Sequence, residues 1–204
     1  MIHELREYKL KPGKLAEYLG HVDSKVERLR GDRYGRLVAF FRAVSGDIER
    51  VMHIWEYDSL NARQDARLQL TKNAGWMSEF IASVWPIIDY QRVTFLEVED
   101  LAPHGPRSGE GLYLLRRCEA TTGQAPRASQ LLLNTPVEGA STVGRYLAIS
   151  PDANTALDLV RISSGSPALR CLEAAGQLEL ALRGQHARSV QIEMLSPVAI
   201  SLWQ

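Results

Sequence analysis

Two segments that read as strands place an imidazole, a guanidinium and a phenol where they could share one face: His53 in one, Arg6 and Tyr8 in the other. Histidine, with an unperturbed pKa of about 6.5, gives or takes a proton near neutrality and is the natural general acid/base. The planar fork of Arg6 suits a carboxylate, enolate or phosphate, and the Tyr8 hydroxyl can donate a hydrogen bond to a developing oxyanion. Alternation along the strands adds Glu4, a carboxylate that could orient His53, and Trp55, which would bound an apolar pocket. Phe40 on an intervening strand completes the set of candidate substrate contacts, with Arg116 as the later counterpart of Arg6. Each has a structural alternative. His53 could be a hydrogen-bonded strand residue, Arg6 an ion-pair partner of Glu4 or Glu56, and Tyr8 and Trp55 ordinary core aromatics.

The elements that must position these groups follow from periodicity. A strand over 2–10 is followed by Lys11-Pro12-Gly13, with Pro12 expected in the first helical turn, and then by the helical stripe Leu15, Leu19, Val22, Val26 and Leu29. Glycines at 31 and 35 break that helix before a strand containing Leu37, Val38, Phe40 and Phe41, and Ser45-Gly46-Asp47 reads as a hairpin turn into a strand over 48–57. Asp58-Ser59 supplies N-cap residues for a helix carrying Arg63 and Arg67, one turn apart on a basic face. Arg63 is expected to pair with Glu56 or Asp58 and pin strand to helix. A short helix around Trp76, Phe80 and Val84 ends near Pro86, and a strand over 87–98 closes the unit.

Residues 101–111 form the richest Pro/Gly stretch and read as a linker between a unit over 1–100 and a second over 112–204. The second repeats the same order in weaker form. Leu115-Arg116 stands where Leu5-Arg6 stood, and Gly144-Arg145 echoes Gly35-Arg36. Laying 156–163 on the third strand sets His53 over Asp158, Trp55 over Val160 and Tyr8 over Cys118. The stretch 121–134, with Pro126, predicts a shrunken first helix, and Ser166-Pro167 opens a helix through Leu169, Leu172 and Ala175. A last strand falls between 189 and 202.

Twenty-four basic and 24 acidic residues balance to zero charge, which removes the electrostatic footprint of a nucleic-acid or membrane-surface partner. No apolar run approaches the roughly 20 residues of a membrane helix. Cys118 and Cys171 form no CxxC pair, and His3, His21, His53, His104 and His186 show no metal-binding spacing, so neither a metal nor a cofactor is expected. The amino terminus enters a strand directly, without a signal-peptide pattern, and a reduced cytoplasm is the expected location.

The segments His53-Ile-Trp-Glu-Tyr-Asp-Ser-Leu-Asn-Ala-Arg63 and Glu4-Leu-Arg-Glu-Tyr-Lys-Leu-Lys-Pro-Gly13 resemble the signature of the NIPSNAP family, of the dimeric α+β barrel class. The resemblance implies an α+β fold: tandem ferredoxin-like βαββαβ repeats whose antiparallel sheets form a barrel, within the chain or across a homodimer. On that architecture Glu4, Arg6, Tyr8, His53 and Trp55 are assigned to the barrel lumen, since polar and aromatic groups suit a cavity better than a helix-packed face. The expected function is cofactor-independent acid/base catalysis on a small, partly apolar metabolite, of the isomerase, cyclase or monooxygenase kind. A non-catalytic binding or scaffold protein is the alternative, and fold analogy alone does not choose between them.

Overall fold

The computed structural model describes residues 1–102, 111–163, 173 and 187–200. Most of the linker 101–111, the helix expected from Ser166, Cys171, His104 and His186 lie outside the described residues.

The first unit runs β1 (Ile2–Leu10), α1 (Leu15–Leu29), β2 (Arg36–Ala43), β3 (Arg50–Tyr57) and α2 (Leu60–Thr71). A π-helical segment, Trp76–Ile81, then passes through the short turn α3 (Ala82–Val84) and a 3-10 turn (Trp85–Ile87) into β4 (Ile88–Leu101). The second supplies β5 (Leu112–Ala120), α4 (Ala125–Asn134), β6 (Ala140–Ser150), β7 (Thr155–Ile162) and β8 (Ala187–Pro197). Helix α1 starts at Leu15 with Lys14 as its N-cap, so Pro12 sits in the preceding turn and not in the helix. Gly13, at φ +76°, makes that turn in a conformation that other residues resist. Ser59 caps α2 as expected, its side chain accepting from the Ala62 amide. Asn73 joins two elements: it donates to the Leu29 carbonyl at the end of α1 and accepts from the Trp76 amide.

Eight antiparallel strands close into a barrel in the order β1-β3-β2-β8-β5-β7-β6-β4. Each half contributes the ferredoxin-like order, β4-β1-β3-β2 and β8-β5-β7-β6, and the halves join through β2 with β8 and β4 with β6. Closure within one chain removes the exposed edges that four-stranded sheets would leave.

The lumen carries the opposite face from the one assigned to it. Leu5, Phe41, Met52, Ile54, Tyr113, Leu115, Leu157 and Leu195 from both halves form one contiguous buried cluster. Glu7 of β1 reaches Arg117 of β5 at 2.9 Å, a pair between non-adjacent strands that must cross the interior. Strand alternation then turns Arg6, Tyr8, His53 and Trp55 outward, where Trp55 packs with Tyr18, Val22, Val26, Trp76 and Phe80 of the helical layer. The physical reason is what the opposing sheet offers. The inward face must mate with a second sheet, where Leu5, Met52 and Ile54 meet apolar side chains of the other half and Glu7 meets Arg117. The outward face is covered by amphipathic helices that reach their partners side chain by side chain.

Candidate functional site: an arginine-rich cavity between sheet and helices

Between the outer face of β1, β2 and β3 and the helices lies a cavity of about 380 Å³, inside the roughly 300–1,000 Å³ of small-molecule sites. Its floor is a single row across the sheet: Arg6 of β1 stands opposite His53 of β3, and His53 opposite Phe40 of β2. Tyr8, one step along β1, lies edge-on to His53 with ring centroids 5.0 Å apart. The walls are apolar, from Val22 and Val26 of α1 and from Trp76 and Phe80, whose rings stack at 4.4 Å. The π-helical segment puts Trp76, Phe80 and Ile81 together on the cavity side, a widening frequent at functional sites. Trp85 and Tyr90 line the cavity while 71% and 59% exposed, and so form its mouth.

Arg6 is fixed at every nitrogen. Its Nε donates to the Tyr8 hydroxyl at 2.8 Å, Nη1 to Glu4 at 2.9 Å and Nη2 to Gln91 at 3.0 Å. Burial opposes its charge, but Tyr8 and Glu4 outweigh that and strengthen its hold on the proton. Glu4 is fully buried and does not line the cavity; it takes Arg6 on one side and Arg63 of α2 at 2.6 Å on the other. Burial pushes its carboxyl upward, and the surrounding Arg6, Arg63 and Arg67 more than reverse this. The expected pairing of Arg63 with Glu56 or Asp58 is therefore replaced by Glu4, while Glu56 binds Arg36 on the other side of the sheet.

His53 is held as a neutral ring. Burial, followed by the nearby charges of Arg6, Arg30 and Arg67, keeps its pKa well below the usual value. The indole N–H of Trp55 donates to Nδ1, so the single proton of the neutral imidazole resides on Nε2. This reverses the expected division of labour: Trp55 and not Glu4 orients the ring, and the ring offers a donor and not a lone pair.

Two further arginines complete the site. Arg30, 2% exposed at the end of α1, stacks over the Trp55 ring at 3.2 Å and donates to the Tyr34 carbonyl at 2.7 Å. Burial pushes its pKa down to about 10, which leaves it charged at neutrality. Arg67, one turn beyond Arg63, lines the cavity, and no hydrogen bond or ion pair holds its guanidinium among the described residues. The sequence marked Arg67 only as part of a basic helix face; the spacing of 63 and 67 was the one signal that could have placed it here.

The second half has converted the equivalent row into structure. Arg116 of β5 stands opposite Asp158 of β7 as Arg6 stands opposite His53, which matches the alignment made from sequence. There Arg116 ion-pairs with Asp158 and caps the end of α4 through the carbonyls of Leu132 at 3.0 Å and Thr135 at 2.7 Å. The residue across from Asp158 on β6 is Arg145, so Arg145 takes the place of Phe40 and not that of Arg36. Arg116 thus stands apart from the cavity. Cys118, fully buried, has its thiol pushed up to about 11 by burial and is inert. Among the described residues no cluster of His, Cys, Asp or Glu could hold a metal ion, and no helix is long and apolar enough to cross a membrane.

The NIPSNAP family model matches residues 3–103, the stretch that builds the whole cavity. Through this first half, the chain belongs to the NIPSNAP family. Human protein NipSnap homolog 3A is 32% identical over 99 residues, which cover 47% of this NIPSNAP chain and 39% of the human protein. The chain therefore spans well under half of that relative. Over its full length the barrel is similar to a proposed monooxygenase from Fusobacterium nucleatum, with a TM-score of 0.63, 13% identity, and coverage of 97% of this chain and 92% of that one. An anthrone oxidase-like protein is similar at a TM-score of 0.60 and 9% identity, covering 97% and 91%. Identities this low establish a shared α+β barrel and carry no chemistry with them.

Proposed function

We propose that this NIPSNAP protein takes a small, partly apolar oxyanion, a carboxylate or an enolisable carbonyl compound, into the sheet–helix cavity without a cofactor. The single observation that carries this reading is the convergence of Arg6, neutral His53 and Tyr8 on one floor beneath aromatic walls. Arg6 supplies fixed positive charge, His53 an Nε2–H donor, and Tyr8, which already accepts from Arg6, its own hydroxyl proton. Such preorganised donors stabilise negative charge developing on a carbonyl oxygen. The reaction class this favours is isomerisation through an enolate, with Asp89 as the proton acceptor, since it is the carboxylate among the described lining residues. A non-catalytic carrier is the second reading. It is favoured by the occupied Nδ1 of His53 and by the exposed position of Asp89, which puts the one carboxylate among the described lining residues at the solvent side of the cavity.

The test uses the tryptophans of the cavity as reporters. Purified full-length chain is examined by native mass spectrometry for a retained small molecule and titrated with benzoate while Trp fluorescence is followed. Arg6→Gln should weaken binding roughly ten-fold or more, the loss of a charge-assisted contact. Benzoate affinity unchanged by Arg6→Gln would remove the cavity from the function. Turnover of an enolisable compound that disappears in Asp89→Asn separates enzyme from carrier.

A further inference from the structure

The charges that surround the cavity do not balance. Arg6, Arg30 and Arg67 line it, with Asp89 as the opposing carboxylate, and Glu4 behind Arg6 is offset by Arg63. Two positive charges are left over, in a site where His53 is neutral. Surface arginines in such excess would be solvated and unremarkable, but Arg30 is 2% exposed and its Nε is buried without a hydrogen-bond partner. Arg67 is only half-buried, and its guanidinium has no protein acceptor among the described residues. These three guanidiniums lie close enough to disfavour one another: Arg6 and Arg67 both act against the charge on Arg30, and Arg6 acts against that on Arg67. Clustered guanidiniums held together without anions are costly, and an entering anion removes that cost.

We infer that the ligand of this cavity carries a doubly charged anionic head, a phosphomonoester or a vicinal dicarboxylate, gripped between Arg67 and Arg30 beside Arg6, with an apolar or aromatic body along Val22, Phe80 and Trp85. The inference rests on the reading that the cavity is a ligand site and narrows it to a dianion. A single carboxylate taken up beside Arg6 leaves Arg67 without a counter-charge. A dianion neutralises the excess and gives Arg67 the fork-to-oxygen contact that its planar geometry favours. Arg67 is the specificity-determining residue in this arrangement, because Arg6 and Arg30 already have hydrogen-bond partners and, among the described residues, Arg67 has none. Its place on α2, one turn after the Arg63 anchor, sets it over the floor without a role in holding the sheet.

Calorimetric titration of the full chain at constant ionic strength compares phenyl phosphate, phthalate and benzoate, three probes with one aromatic ring and different heads. Phenyl phosphate or phthalate should bind roughly ten-fold or more tightly than benzoate, and whichever does names the head group. In Arg67→Gln that preference should collapse to about two-fold or less, with the circular dichroism spectrum retained because no hydrogen bond or ion pair ties the side chain to the described residues. Equal affinity for all three probes, or a preference that survives Arg67→Gln, overturns the dianion while leaving the oxyanion cavity standing. Failure of all three to bind overturns both.

Discussion

Replacing His53 by Gln tests the electrostatics of the site through folding alone, with no ligand required. In the unfolded chain the imidazole titrates near 6.5, and in the folded protein burial and three arginines hold it well below that. A depressed pKa stabilises the fold fully above the unfolded value, and this contribution is lost as pH falls, because the unfolded chain takes up a proton that the folded one refuses. The slope approaches about 1.4 kcal/mol per pH unit, so between about pH 7.5 and pH 5.5 wild type loses about 1.4 kcal/mol through this one residue. Glu4, whose carboxyl is held below 4.5, contributes above that value and loses its share only in more acid solution, outside the window. Gln accepts the Trp55 indole N–H through its side-chain oxygen and does not titrate. Urea unfolding of wild type and His53→Gln across this range should therefore give two stability profiles that converge as pH falls, the wild-type curve descending more steeply by about one proton. Parallel profiles would mean that His53 titrates normally in the fold, and the account of a neutral, Trp55-locked ring would fail. Nitrogen-15 chemical shifts supply the second readout, with a protonated Nε2 and an unprotonated Nδ1 at neutral pH.

Two structural predictions accompany it. Asp158→Ala leaves Arg116 as a buried charge without its carboxylate and should destabilise the protein by about 3–5 kcal/mol in denaturant unfolding, while benzoate affinity at the first-half cavity stays unchanged; a loss under about 1 kcal/mol would contradict a buried pair there. Ser59→Ala removes the cap on the Ala62 amide and should cost about 1 kcal/mol of stability, with Ser59→Asp restoring it; wild-type stability in the alanine variant would show that α2 holds its start without the cap.

The sequence by itself determined the repeat and the grouping of residues by face. Period-two alternation put Arg6, Tyr8, His53 and Trp55 on one side of the sheet and Leu5, Met52 and Ile54 on the other, and the alignment of Arg116 with Arg6 and of Asp158 with His53 is the register the strands adopt. The Ser59 cap was legible for the same reason: it is a local interaction, fixed by neighbours along the chain. What tertiary structure decided was the sign of the face. Alternation divides a strand into two sets, but which set looks into the barrel depends on what the opposing sheet and the helices bring to meet it. The set with Leu5, Met52 and Ile54 took the interior because the opposing sheet brings apolar side chains to meet it and Arg117 to pair Glu7, and the set with Arg6 and His53 went under the helices. Arg67, Arg63 and Glu4 belong to the same lesson. Two arginines one turn apart are equivalent along the chain, and only the position of α2 over β1 gives one of them a carboxylate and the other an open cavity.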